Sequence, residues 1–115
     1  MPMKDIAELN SLWLEHQNLM VLLPVLEHEY PAVIGEVKNA GALSENLLAD
    51  VVEYSLRFPS RHWALLAVTW IENGFPLTSS ICEQLLAISK DKTDSQKLRH
   101  KSLTQAKRWM RANSI

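Results

Sequence analysis

The chain has 115 residues, 47% of them hydrophobic, with a net charge of −1. That is enough apolar material for one core and too much for a disordered chain, so one folded domain over 1–115 is expected. A single cysteine, Cys82, excludes an internal disulfide and paired-cysteine zinc sites. No signal-peptide pattern stands at Met1–Asp5, and the longest apolar runs, Leu19–Leu26 and Trp63–Ile71, are far too short to span a membrane. A cytoplasmic protein without membrane contact is the expectation.

The first helix is expected to start at Asp5, a capping residue, and to run to about Leu22. Its apolar stripe is Ile6, Leu9, Leu12, Trp13, Leu19 and Met20. Pro24 either kinks it or opens a short turn that ends at Tyr30. Pro31 suits the first position of a second helix, with Val33, Ile34 and Val37 inward and a stop near Gly41. Ser44 caps a third, carrying Leu47, Leu48, Val51, Val52 and Tyr54, which Pro59-Ser60 ends. Ser60 caps the next, where Trp63 to Ile71 is apolar on nearly every face and must lie inside the fold. Gly74 is a left-handed stop, and Thr78 caps a helix with Ile81, Cys82, Leu85, Leu86 and Ile88 inward. Asp94 or Ser95 opens a last helix to about Ala112.

The fold class is therefore all-α: six or so short antiparallel helices stacked as hairpins, solenoid-like or as an irregular bundle. The caps Ser44, Ser60, Thr78 and Asp94 are 16, 18 and 16 residues apart, so two hairpin units repeat at 34 residues. At that offset Leu48 falls on Cys82, Val51 on Leu85 and Val52 on Leu86.

Charge is unevenly distributed. Residues 1–58 hold nine acids and three bases, a net of −6; residues 59–115 hold four acids and nine bases, a net of +5. Either the halves pack on one another or each presents its own charge to a partner. The acids Glu29, Glu36, Glu45, Asp50 and Glu53 fall on successive helices. If those helices stack, their outer edges form one negative surface that steers a basic protein. The last helix carries Lys97, Arg99, His100, Lys101, Lys107, Arg108 and Arg111 with Trp109. It supports the alternative, nucleic-acid contact. Against that, its bases read as spread around the helix, leaving a narrow seam of Leu98, Leu103, Ala106, Trp109 and Met110.

Chemistry finds little footing. Gly35, Gly41 and Gly74 are isolated, so no phosphate-cradling loop forms. The histidines, His16, His28, His62 and His100, contain no pair at helical ligand spacing. Glu27-His28-Glu29 reads as a solvated turn, and Cys82 as a core residue. An enzyme using His62 or His100 is the third reading. No metal or cofactor is expected.

The 34-residue period, the caps Ser60 and Thr78 and the turn Gly74-Phe75-Pro76 resemble small helical-repeat modules of the HEAT type over about residues 44–111. In size, cysteine poverty and acidic face the chain is also similar in character to bacterial toxin-immunity proteins. That resemblance implies a non-catalytic protein that binds a basic toxin nuclease and blocks it.

Overall fold

A computed structural model describes residues 4–114; Met1–Met3 and Ile115 lie outside it. The fold class is all-α: six α-helices and one long 3-10 helix, with no strand among the described residues.

Helix α1, Ile6–His16, starts where Asp5 Oδ1 accepts from the Glu8 amide at 2.7 Å. It ends earlier than the sequence suggested. Gln17 turns left-handed with φ 52°, and Asn18 caps a new element through the Met20 amide. That element is a 3-10 helix, Leu19–Glu27. With three residues per turn its side chains fall into three columns. Leu22 with Val25, and Leu23 with Leu26, fill two columns and are buried. Pro24 neither kinks α1 nor makes a turn. It stands in the third and least buried column with Val21 and Glu27.

Helix α2, Val33–Ala40, begins two residues after Pro31, which instead lies in the preceding turn. The Glu29 carbonyl accepts from the Val33 amide at 2.9 Å and so closes that turn. Gly41, at φ +89°, ends α2, and Asn10 Oδ1 holds the next amide, Ala42, at 2.9 Å.

Four longer helices follow: α3 Glu45–Arg57, α4 Arg61–Glu72, α5 Ser79–Lys90 and α6 Gln96–Ala112. Ser44, Thr78 and Ser95 cap α3, α5 and α6, each accepting from the amide three residues on at 3.1 Å. Ser60 occupies the cap position of α4 but its hydroxyl makes no capping bond. α4 ends in a Schellman turn. The Phe75 amide reaches back to the Trp70 carbonyl at 3.0 Å and the Gly74 amide to Ile71 at 3.1 Å. Gly74 has φ +106°, which a side chain would strain. The Phe75 and Trp70 rings meet across this turn at 5.7 Å, and Tyr30 packs on both at 5.3 Å.

Helix α4 packs against α3, α6 and the 3-10 helix, which bury Ala64, Ala67, Val68, Trp70 and Ile71; against expectation one face stays at the surface, with Trp63, Leu65 and Leu66 half-buried and Thr69 exposed. Within the second half α3 pairs with α4 and α5 with α6. Between these hairpins α3 lies on α5 and α4 on α6, first helix to first and second to second. α1, the 3-10 helix and α2 cover one side, with α2 packed on α1.

An ion pair joins the hairpins. Arg61 Nε donates to Asp94 Oδ1 at 2.6 Å and its Nη2 to Oδ2 at 3.2 Å. The remaining Nη1 donates to the Leu56 and Phe58 carbonyls, at 3.3 and 3.0 Å, at the end of α3. The Asp94 side chain is only 6% exposed. Asp94 therefore does not cap α6; Ser95 does, and Asp94 serves the clamp.

Replacing Arg61 by alanine strands a buried carboxylate, and should lower stability by about 3 kcal/mol in urea unfolding at neutral pH. Arg61→Lys keeps the charge but cannot satisfy both oxygens and both carbonyls, so it should recover only part of that. The Ser102 hydroxyl, fully buried on α6, has no hydrogen-bond partner among the described residues. Ser102→Ala removes an orphaned polar group and should raise stability by about 1 kcal/mol in the same measurement.

Candidate functional site

Every ion pair among the described residues joins partners from the same half of the chain. Lys4–Glu8, His16–Glu15 and Arg57–Glu53 lie before residue 59; Arg61–Asp94 and Lys101–Glu72 lie after it. The two halves pack together without neutralising one another through ion pairs. The acidic excess of the first and the basic excess of the second therefore both reach the surface.

The five sequence-predicted acids do not form a single row. Glu36 is on α2, which packs on α1, whereas Glu45, Asp50 and Glu53 are on α3. Glu29 precedes α2 and lines a depression with Leu66, Thr69 and Trp70. Glu45 lines a recess of about 200 Å³ with Tyr30, Ile34, Ala49 and Phe75, which brings the start of α3 to the α2 side. Glu29, Glu36, Glu45 and Asp50 are exposed and have no cation in ion-pair range among the described residues. Glu53 is different: half-buried, it accepts a hydrogen bond from the Ser80 hydroxyl and faces Arg57 at 3.6 Å. Its charge is engaged in holding α3 to α5.

The basic helix corrects the sequence reading. At about 100° per residue, Lys97, His100, Lys101, Thr104, Lys107, Arg108 and Arg111 fall within an arc of about 120°. All but Lys101, which is half-buried, are exposed. The buried seam is Leu98, Ser102, Gln105 and Ala106, on nearly the opposite side, so two polar residues stand where only apolar ones were expected. Leu103, Trp109 and Met110 are half-buried beside it. Arg99 is the one base that leaves the stripe, donating to the Ser89 carbonyl at 3.4 Å. Lys101 is held by Glu72 at 2.9 Å. The bases look scattered when read along the chain and align only when projected down the helix axis.

Two of the histidines, His28 and His62, make contacts within the fold, while His100 is exposed on α6. His28 is half-buried, not solvated: its Nε2 meets the Lys4 carbonyl at 2.7 Å and its own carbonyl accepts from Trp70 Nε1 at 3.0 Å. His62 packs edge-on against Trp63 at 4.8 Å. Among the described residues no three His, Cys, Asp or Glu side chains converge as a metal ion would need. No helix among them is long and apolar enough to cross a membrane. Asp91 Oδ1 accepts from both the hydroxyl and the amide of Thr93, at 2.6 and 2.9 Å, and these bonds hold its carboxyl below the usual carboxylate range. Such bonding favours the folded form once Asp91 is ionised and is lost as pH falls through its lowered pKa.

Cys82 is buried beside the Ala106 carbonyl, and burial, with the charge of Glu83, pushes its thiol up. It should therefore resist a thiol reagent at neutral pH in the folded protein and react only on unfolding. Rapid labelling of the native protein would contradict that placement. Comparison with protein-family models, curated proteins and solved structures finds no match.

Proposed function

We propose that this protein is a non-catalytic binding module, of the immunity or antitoxin kind, that neutralises a basic partner such as a toxin nuclease domain. The observation that carries this reading is the division of its carboxylates. Glu53, Glu72 and Asp94 are engaged within the fold. Glu29, Glu36, Glu45 and Asp50 are exposed without a partnering cation among the described residues. Unpaired carboxylates, three of them on helices and Glu29 in the turn before α2, raise the encounter rate with a basic protein and penalise wrong partners. The recess beside Glu45, lined by Tyr30, Ile34, Ala49 and Phe75, offers an apolar seat next to negative charge. It suits the aliphatic stem and cationic head of an arginine or lysine.

The test is protection of cells that express a basic nuclease toxin domain encoded in the adjoining reading frame. The quadruple reversal Glu29→Lys, Glu36→Lys, Glu45→Lys, Asp50→Lys should keep its helical circular dichroism and lose protection. Its affinity for the purified domain should fall by about 100-fold, with much of the loss in the association rate. Reversal that leaves protection and affinity intact would exclude this surface.

A further inference from the structure

Helix α6 carries a second charged surface, made of other charged residues than the acidic one; the ring of Phe75 lines a recess at each. Its exposed stripe runs from Lys97 to Arg111, about 21 Å along the helix axis at 1.5 Å per residue. Lys97, Lys107, Arg108 and Arg111 on it have no acidic partner among the described residues. Lys107, Arg108 and Arg111 cluster within about one turn and Lys97 stands about 15 Å further along the axis, a spread that fits an extended polyanion better than a single anion.

At the C-terminal end of this stripe lies an open recess of about 460 Å³, between α6 and the turn that follows α4. Arg108 stands at its basic side, and Trp109, Phe75 and Leu77 supply apolar and aromatic lining. Gln105 lines it too. This glutamine is only 8% exposed, yet its amide makes no hydrogen bond to any described residue. Its polar atoms are open to the recess, where they are free to pair with a ligand that has matching donors and acceptors. Asn73 presents a second amide nearby on the rim. Glu72 also lines the recess, but Lys101 offsets its charge at 2.9 Å.

A flat group that stacks on an aromatic ring, hydrogen-bonds through its edge and carries phosphates on one side is a nucleotide within a strand. We propose that α6 binds single-stranded nucleic acid, its phosphates along the Lys97–Arg111 stripe and one unpaired base in the Gln105–Trp109 recess. A duplex keeps its bases stacked and paired, so it can use the stripe and not the recess.

Fluorescence anisotropy with labelled strands of about 12 nucleotides, DNA and RNA, at about 50 mM salt tests this in the full chain. At least one strand should bind more tightly than the duplex of the same sequence, and AMP should bind far more weakly than either. Lys107→Glu with Arg111→Glu, both on the exposed stripe, should weaken strand binding by at least about tenfold and flatten its salt dependence. Trp109→Leu should remove most of the preference for the strand over the duplex while leaving the salt dependence. If Trp109→Leu unfolds the protein, Gln105→Glu carries the same test, since a carboxylate in the recess repels the strand and lowers the preference. The proposal is overturned by absence of strand binding at low salt, by equal binding of strand and duplex, or by a polyglutamate competitor as effective as the strand. Loss of strand binding in the stripe variant with toxin protection intact would confirm that the two surfaces act separately.

Discussion

Trp63 to Ile71 offers water almost no polar side chain, and a helix of that kind has no stable place at the edge of a protein. Three elements cover most of it. The 3-10 helix covers one side with Leu22, Leu23, Val25 and Leu26, while α3 and α6 take the others. Because the central position is taken by apolar side chains, charged ones are confined to the helices that surround it. The surface of this protein is thus a consequence of its interior. The bases of α6 face outward because Leu98, Ser102, Gln105 and Ala106 face α4 and α5.

What the sequence disclosed and what it concealed divide along the range of the interactions. Asp5, Ser44, Thr78 and Gly74 act within a few residues of themselves, and each was legible as a start or a stop. Ser44 and Thr78 likewise open the first helices of the α3–α4 and α5–α6 hairpins, although Ser60 and Asp94, the other members of that series, make no capping bond. The 3-10 helix was not legible, because Leu19–Leu26 was read against a period of 3.6 and its side chains follow a period of three. The Arg61–Asp94 bond joins positions 33 apart. In sequence Asp94 looks like an ordinary cap. The burial of Gln105 was also hidden, since a glutamine among lysines and arginines reads as a solvated residue. Among the five predicted surface acids, the hydrogen bond from Ser80 to Glu53 required three dimensions to recognise, whereas Arg57 stands four residues beyond Glu53 on the same helix.

Charge segregation is the feature that survives from sequence to structure with the most functional content. Packing the two halves together could have cancelled their charges across the interface, and the ion pairs do not do so. Each half instead uses its scarcer charges internally. Arg57 answers Glu53 in the acidic half, while Glu72 and Asp94 answer Lys101 and Arg61 in the basic half. What remains unanswered is mostly negative on α2 and α3 and positive on α6. A net charge of −1 therefore says little about how this molecule meets its surroundings. Its behaviour near a partner is set by local fields that salt weakens over about a Debye length.

The Arg61 clamp has a further consequence for how the molecule comes apart. In an ordinary stack of helical hairpins each unit touches only its neighbour through apolar faces, and the units fray one after another. Here one guanidinium ties the last carbonyls of α3 to the turn that opens α6. Loosening either hairpin strands the polar groups of the other. The α3–α6 block is thereby coupled into one cooperative unit, and slow amide exchange should extend evenly across it. The α1–α2 cover is held instead to α3 and α4, through the buried 3-10 helix and the Trp70 hydrogen bond to the His28 carbonyl.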